Sequence, residues 1–357
     1  MEKNIIFLSH GSKQIGMGHV MRCLSLAKAF QKKNWKVSFY SKFYLGATVI
    51  KEQGFPVEVQ EQEENTEAVT EFHFGEETEL KEDVEWLRPL LIKDKPTILF
   101  VDSYNVSEWF FKELKQYTEC LMYLDDLAAW DYPVDVLLNP NVDAEQKGYA
   151  QFKRVGKFLL GSSYCLLREE FTNVPLRFAK EEIKDILITT GAADPKNMTE
   201  TLLTWGKAIC PTARFHLIIG SAFEAKEEWS KKENEQIKIY VSPKKMSEIM
   251  LKCDLAISAG GSTLYELAAC GVPTIAFIYS ENQKSVVETL EKAGYIKSIG
   301  YWETLQQKEC IDLQPDWIEE CFDKNERQEW MQRQQKLFDG KGTNRVVEEV
   351  EEYIKNK

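Results

Sequence analysis

No stretch of this 357-residue chain approaches the roughly eighteen consecutive apolar residues that a membrane helix needs. The first apolar run, Asn4 to Ser9, is too short for a secretory leader and reads as a strand. Neither a membrane span nor an export signal is expected. An excess of positive charge is missing as well: 45 Lys and Arg face 57 Asp and Glu, giving a net charge of -12. That balance argues against a nucleic-acid surface. It leaves room for a phosphate ligand, because backbone N–H groups supply a local positive field inside an acidic protein. The eight cysteines (Cys23, Cys120, Cys165, Cys210, Cys253, Cys270, Cys310 and Cys321) include no C-x-x-C pair. Scattered through apolar segments, they read as packed, reduced thiols of a cytoplasmic protein rather than disulfides or zinc ligands.

Several catalytic signatures are absent too. G-x-x-x-x-G-K-[ST] is not found, since "GKGT" breaks after its lysine, which disfavours a P-loop NTPase. There is no H-E-x-x-H, no G-x-S-x-G elbow and no D-x-D to hold a metal. "GMGHVM" fails G-x-G-x-x-G because Met21 fills the third glycine position, so a dinucleotide oxidoreductase is not expected. No cofactor and no metal are called for.

What the chain does have is an alternation of short apolar runs with longer amphipathic segments, the pattern of β-α units around a parallel sheet. In the first half this predicts strands near 4–9, 36–40, 97–101, 121–124 and 135–138, with helices near 18–32, 78–93 and 106–117. A second series predicts strands near 184–189, 214–219, 237–240, 254–258 and 273–277, with helices near 197–208, 243–251, 263–270 and 282–293. The acidic stretch "QEQEENTEAVTEFHFGEETELKED" reads as a solvated excursion carrying a surface His73.

The expected organisation is two Rossmann-like domains, 1–165 and 184–310, joined by a linker at 166–183. Residues 311–357 then form C-terminal helices, broken at Pro315 and "DGKG", that could cross back to the first domain. The fold class is α/β, with two Rossmann-like parallel sheets facing a cleft and ligand groups at the carboxyl edges of the strands.

Each half carries one strand–glycine-loop–helix motif. In "AISAGGSTLYELAACGVP", Gly260 and Gly261 let the backbone approach a ligand, and the helix start at Ser262 and Thr263 offers N–H groups and the positive end of its dipole. A capping box from Ser262 or Thr263 to Glu266 accounts for the same residues with no ligand at all. In "IGMGHVMRCLSLA", Gly16 and Gly18 precede His19 at the mouth of the first helix. A histidine there either caps and packs or activates water, and the helix dipole favours the neutral, proton-accepting ring.

Asp102 and Tyr104 end an apolar strand and point to its carboxyl edge, where a turn or cap is the alternative for Asp102. Asp125 and Asp126 read as caps or loop orienters, because adjacent carboxylates on a strand diverge. Asn282 and Gln283 open a helix after the strand at 273–277, so Asn282 is either an N-cap or a sugar contact. Arg22 is a phosphate contact or a surface pair, and His10 and His216 have no obvious partners.

Taken in order, "IGMGHVMRCLSLA", "VDSYNV", "YLDDLA", "LLNPN", "LLGSSYCLLREEF", "TTGAADPKNMT", "AISAGGSTLYELAACGVP" and "SENQ" resemble the UDP-sugar hydrolases of pseudaminic acid biosynthesis and the related spore-coat polysaccharide proteins. These are themselves similar to GT-B glycosyltransferases. The resemblance implies release of UDP from UDP-2,4-diacetamido-2,4,6-trideoxy-β-L-altropyranose by water, with inversion at the anomeric carbon. It also implies a UDP-sugar as the substrate. On this resemblance His19 matches the catalytic histidine, while Tyr104 and Asn282 match residues lining the sugar site. Gly260 to Thr263 match the diphosphate loop, Glu266 the ribose-binding acid, and the segment around Met246 the stretch that meets uracil. Gly16, Gly18 and Gln283 are expected to bind substrate as well, the two glycines by making room for a sugar and a water. One departure stands out: Leu8-Ser9-His10 replaces the family's R-x-D after the first strand.

Overall fold

The computed structural model describes residues 3–12, 15–60, 77–223, 226–307 and 317–357. Most of the acidic excursion with His73, as well as Cys310 and Pro315, lies outside the described residues. The chain divides into two compact units, one of Met1–Arg168 with Lys341–Lys357 and one of Glu169–Gly340.

In the first unit the strands β1 (Asn4–Ser9), β2 (Lys36–Ser41), β3 (Val57–Val59), β4 (Ile98–Asp102), β5 (Cys120–Leu124), β6 (Val136–Asn139) and β7 (Lys157–Leu160) form one sheet. Its order is β3-β2-β1-β4-β5-β6-β7, and every pairing is parallel. Near-continuous apolar runs such as "NIIFLS" and "ILFVD" follow from burial on both faces. Side chains alternate across the sheet, so Ile5 and Phe7 join one core while Ile6 and Leu8 join the other. The first core is covered by α1 (Gly18–Lys32), through Val20, Leu24 and Ala27. The second is covered by α3 (Glu77–Asp94) and α4 (Glu108–Lys115), through Leu87, Phe110 and Leu114. A short helix, α2 (Tyr44–Glu52), follows β2.

The second unit carries a six-stranded parallel sheet of order β10-β9-β8-β11-β12-β13. Its strands are β8 (Asp185–Thr189), β9 (Arg214–Ile219), β10 (Ile237–Val241), β11 (Leu255–Ala259), β12 (Thr274–Ile278) and β13 (Lys297–Tyr301). The main helices are α5 (Met198–Ile209), α6 (Lys226–Ser230), α7 (Met246–Met250), α8 (Thr263–Ala269), α9 (Lys284–Lys292), α10 (Trp302–Gln307) and α11 (Lys324–Leu337). Residues 169–183, without a clear period in sequence, are fastened to this unit. Phe171 is buried, and the Arg177 guanidinium donates to the Cys253 carbonyl at 2.9 Å. The last helix, α12 (Gly342–Asn356), belongs to the first unit, where Val346, Val347 and Val350 enter the core beneath α1.

The elements absent from the sequence reading are β3, β7, β13 and the helices α2, α6 and α10. Three of these are edge strands of three to five residues, too short and too polar to show a period. The seven cysteines among the described residues are all buried, and no disulfide joins any two of them.

Candidate active site

Both glycine motifs lie at the carboxyl edge of their own sheet, where open α/β folds bind ligands. In the first unit Gly16 adopts φ +75, a conformation that favours glycine, and Gly18 begins α1 with nothing within 4 Å of the Cβ it lacks. The N-terminus of α1 has no side-chain cap. His19 turns instead to the end of β4, its Nδ1 2.6 Å from Asp102 Oδ1. An ionised carboxylate only accepts, so this contact assigns a ring proton to Nδ1, and in the neutral ring the lone pair then lies on Nε2. Nε2 has no hydrogen-bond partner among the described residues.

Asp102 is wholly buried and takes more than the imidazole. Arg22, one turn along α1 from His19, donates Nη2 to Asp102 Oδ1 at 2.6 Å and Nε to Oδ2 at 2.7 Å. The Cys23 thiol reaches Oδ2 at 3.4 Å. Burial pushes the Asp102 carboxyl up, but the Arg22 charge, followed by His19, outweighs it and holds the group well below the usual carboxylate range. Arg22 Nη1 also donates to Asp126 Oδ2 at 2.9 Å, and the Tyr104 hydroxyl donates to the same oxygen at 2.8 Å. Burial and the neighbouring Asp126 charge push the Tyr104 phenol up, so it stays protonated. Its ring stands edge-on to His19, with centroids 5.0 Å apart. His19, Asp102, Arg22, Asp126 and Tyr104 thus form a closed ring of contacts.

Asp125, next in chain to Asp126, has a different task. It accepts from the Leu127 and Ala128 amides and from the Tyr132 and Tyr149 hydroxyls, all within 3.0 Å, and so fixes the loop after β5. His10 is buried, and its Nδ1 accepts from the Lys42 amide at 3.2 Å. Burial, then the Lys42 charge, push its imidazole down to about 3. His216 Nε2 lies 2.7 Å from Asp185, a second pairing that sequence reasoning did not supply.

In the second unit the loop after β11 differs in detail from expectation. Gly260 N–H is spent on the Phe277 carbonyl and Gly261 N–H on that of Ala259, both at 2.9 Å. The N–H groups of Ser262 and Thr263 have no acceptor among the described residues. Ser262 holds the N-cap position of α8 without a side-chain cap bond, so the capping-box alternative is not realised. A Cβ at Gly260 would stand 2.4 Å from Val287 Cγ2, which makes this glycine a packing requirement, whereas the space beside Gly261 is open.

Asn282 is exposed in a short 3₁₀ turn and accepts from the Ser280 hydroxyl at 2.6 Å; it does not cap α9. Gln283 is buried and accepts from the Tyr279 amide at 3.1 Å. Met246 opens α7 and is buried, and Glu266 lies one turn into α8. The expected site residues therefore fall into two groups, His19, Tyr104, Gly16 and Gly18 in the first unit and the rest in the second.

Asp102, Arg22 and Asp126 were not singled out as partners of His19 from sequence. A signal was present: Arg22 shares a helix face with His19 at i+3, Asp102 ends β4 beside β1, and Asp126 follows the end of β5 beside β4.

The chain is GT-B-like, with two parallel-sheet α/β units, and its residues 186–348 match the glycosyltransferase family 28 C-terminal domain. Acinetobacter baumannii MurG has the same fold, with a TM-score of 0.64 at 14% identity over 98% of this chain and 99% of that one. Among sequence relatives, the UDP-2,4-diacetamido-2,4,6-trideoxy-beta-L-altropyranose hydrolase of Campylobacter jejuni is 26% identical, over 82% of this chain and 97% of its own. The Bacillus subtilis spore coat polysaccharide biosynthesis protein SpsG is 23% identical, over 84% and 85%. An uncharacterized Methanocaldococcus jannaschii protein is 26% identical over 83% of this chain, which spans only 58% of that relative's length. No helix among the described residues is long and apolar enough to cross a membrane.

Proposed function

We propose that the protein is a UDP-sugar hydrolase that releases UDP from UDP-2,4-diacetamido-2,4,6-trideoxy-β-L-altropyranose. The observation that carries this reading is the His19–Asp102 pair at the carboxyl edge of the first sheet, with Nε2 unengaged. UDP is a good leaving group, so the chemistry needs a base for water and donors for the diphosphate more than it needs a strong acid. Water attacks the anomeric carbon from the face opposite UDP and gives up a proton to His19 Nε2. The bond to the diphosphate oxygen breaks with its electron pair, and the sugar is released with inverted configuration. Asp102 steadies the imidazolium through Nδ1–H. Ser262 and Thr263, with their N–H groups and hydroxyls, are the donors for the diphosphate. Tyr104 and Asn282 would contact the sugar, Glu266 the ribose and Met246 the base. The relative from Campylobacter supports the substrate, and the chemistry calls for no metal.

The test is incubation with the UDP-diacetamido-trideoxy-altrose in EDTA without an acceptor, following UDP and the anomeric configuration by NMR. Rapid UDP release with inversion is expected, and intact substrate would overturn the reading. The family 28 match and the likeness to SpsG support a second reading, a glycosyltransferase that delivers the sugar to a hydroxyl acceptor. UDP release that depends on an added polysaccharide acceptor would favour it.

A further inference from the structure

Asp102 by itself would place one negative charge against His19. Arg22 lies on the same carboxylate through two of its nitrogens and, left alone, would cancel that charge. Asp126 meets the remaining end of the Arg22 guanidinium at 2.9 Å. Two carboxylates and one guanidinium therefore leave a single net negative charge in the cluster that faces the imidazole.

Asp125, the neighbouring carboxylate, is turned to its own loop and hydroxyl donors, and the remaining groups near the cluster add no charge to that sum. Lys147, which donates to the Asp126 carbonyl, is paired with Asp143 at 3.3 Å. Tyr104 is a neutral phenol, Cys23 a neutral buried thiol, and His10 is held uncharged by its burial. Asp126 is also kept in place by the Asn141 amide at 2.8 Å, while Tyr104 carries its position back to the His19 ring.

We propose that Arg22 and Asp126 are positioning residues that set the base strength of His19, Arg22 by clamping Asp102 and Asp126 by restoring the negative charge that Arg22 would otherwise cancel. The inference rests on His19 acting as the base of the hydrolysis. When the base takes a proton from water, the growing positive charge is met by the residual negative charge of the cluster. The fork of Arg22 also keeps the Asp102 carboxylate from swinging away from Nδ1, a geometric task that a lysine point charge performs poorly.

Three full-length variants test this: Asp126→Asn, Arg22→Gln and Arg22→Lys. Two readouts are taken, the pH profile of kcat on the UDP-sugar and the NMR titration of the His19 ring in the free protein. The His19 signal is identified by its loss in His19→Asn. Removing the Asp126 charge should move the acid limb and the NMR midpoint down by about half a unit to one unit, with a lower plateau kcat. Removing the Arg22 charge should move both upward by a similar amount. Arg22→Lys should keep the limb near its original position while kcat falls about tenfold, because charge is retained and the fork is lost.

Midpoints that shift in the same direction for Asp126→Asn and Arg22→Gln, or that do not move, would overturn the inference. A raised KM at unchanged kcat in Arg22→Gln would also overturn it and make Arg22 a phosphate contact. Should one variant fail to fold, the direction of the other still decides. If the unaltered protein leaves the UDP-sugar intact, the hydrolase reading fails while the NMR midpoints still decide the electrostatic role of the pair.

Discussion

His19 is held at three points: by its helix, by the Asp102 carboxylate and by the edge of the Tyr104 ring. Replacing it with Asn should lower kcat for UDP release by about a hundredfold or more while the melting temperature hardly changes, as assayed by UDP release and calorimetry. Asp102→Asn is expected to do more. It takes from the half-buried Arg22 the carboxylate its fork grips and leaves it Asp126 alone, so urea unfolding should show a loss of about 1–3 kcal/mol together with lost activity. His10 offers a separate reading of pH. Its imidazole is pushed from 6.5 down to about 3, so the unfolded chain binds a proton that the folded one refuses. Stability from this site is therefore complete above about pH 6.5 and declines as pH falls toward 3, at up to about 1.4 kcal/mol per unit. Denaturant melts between about pH 7 and about pH 4 on the native protein and on His10→Gln should differ in slope, the variant being flatter. At this scale the sequence was partly legible. A histidine behind G-x-G at a strand end stood out, whereas its partner Asp102 is 83 positions away and becomes visible only when β4 lies beside β1.

At the scale of elements, long apolar strands announced themselves and edges did not. β1, β4 and β5 are buried on both faces and read as continuous runs, while β3 and β7 are short, flank the sheet and carry charged residues. α2 was hidden for another reason. It contains Gly46, a poor helix former, because its backbone rests on Gly11, with the Gly46 amide donating to the Gly11 carbonyl at 2.9 Å. A methyl group there would stand 2.8 Å from the Gly11 nitrogen. Gly46→Ala should cost about 1–3 kcal/mol in urea unfolding and, by shifting the loop that leads to His19, lower kcat. The last helix offers a second check. Val346 and Val350 are fully buried against the first core, so the double change to Ala should destabilise the protein by about 2–5 kcal/mol without altering KM for the UDP-sugar.

At the scale of the whole molecule, two parallel sheets and two glycine loops were legible from the alternation of strand and helix periods. Less legible was the membership of each segment, because which core a helix enters depends on packing partners rather than on its own pattern. Residues 169–183 and α11 go with the second unit, and α12 goes with the first. Gly342 lies against Cys165, so close that a Cβ would meet the Cys165 backbone, and the two stretches of the first unit therefore meet in space. In terms of biosynthesis, the second unit is an insert emerging in the middle of the first. The ribosome releases every residue of 169–340 before the first core receives its closing helix. The part of the chain that carries His19 begins first and finishes last, and a nascent chain stalled before α12 holds a complete second unit beside an unfinished first one.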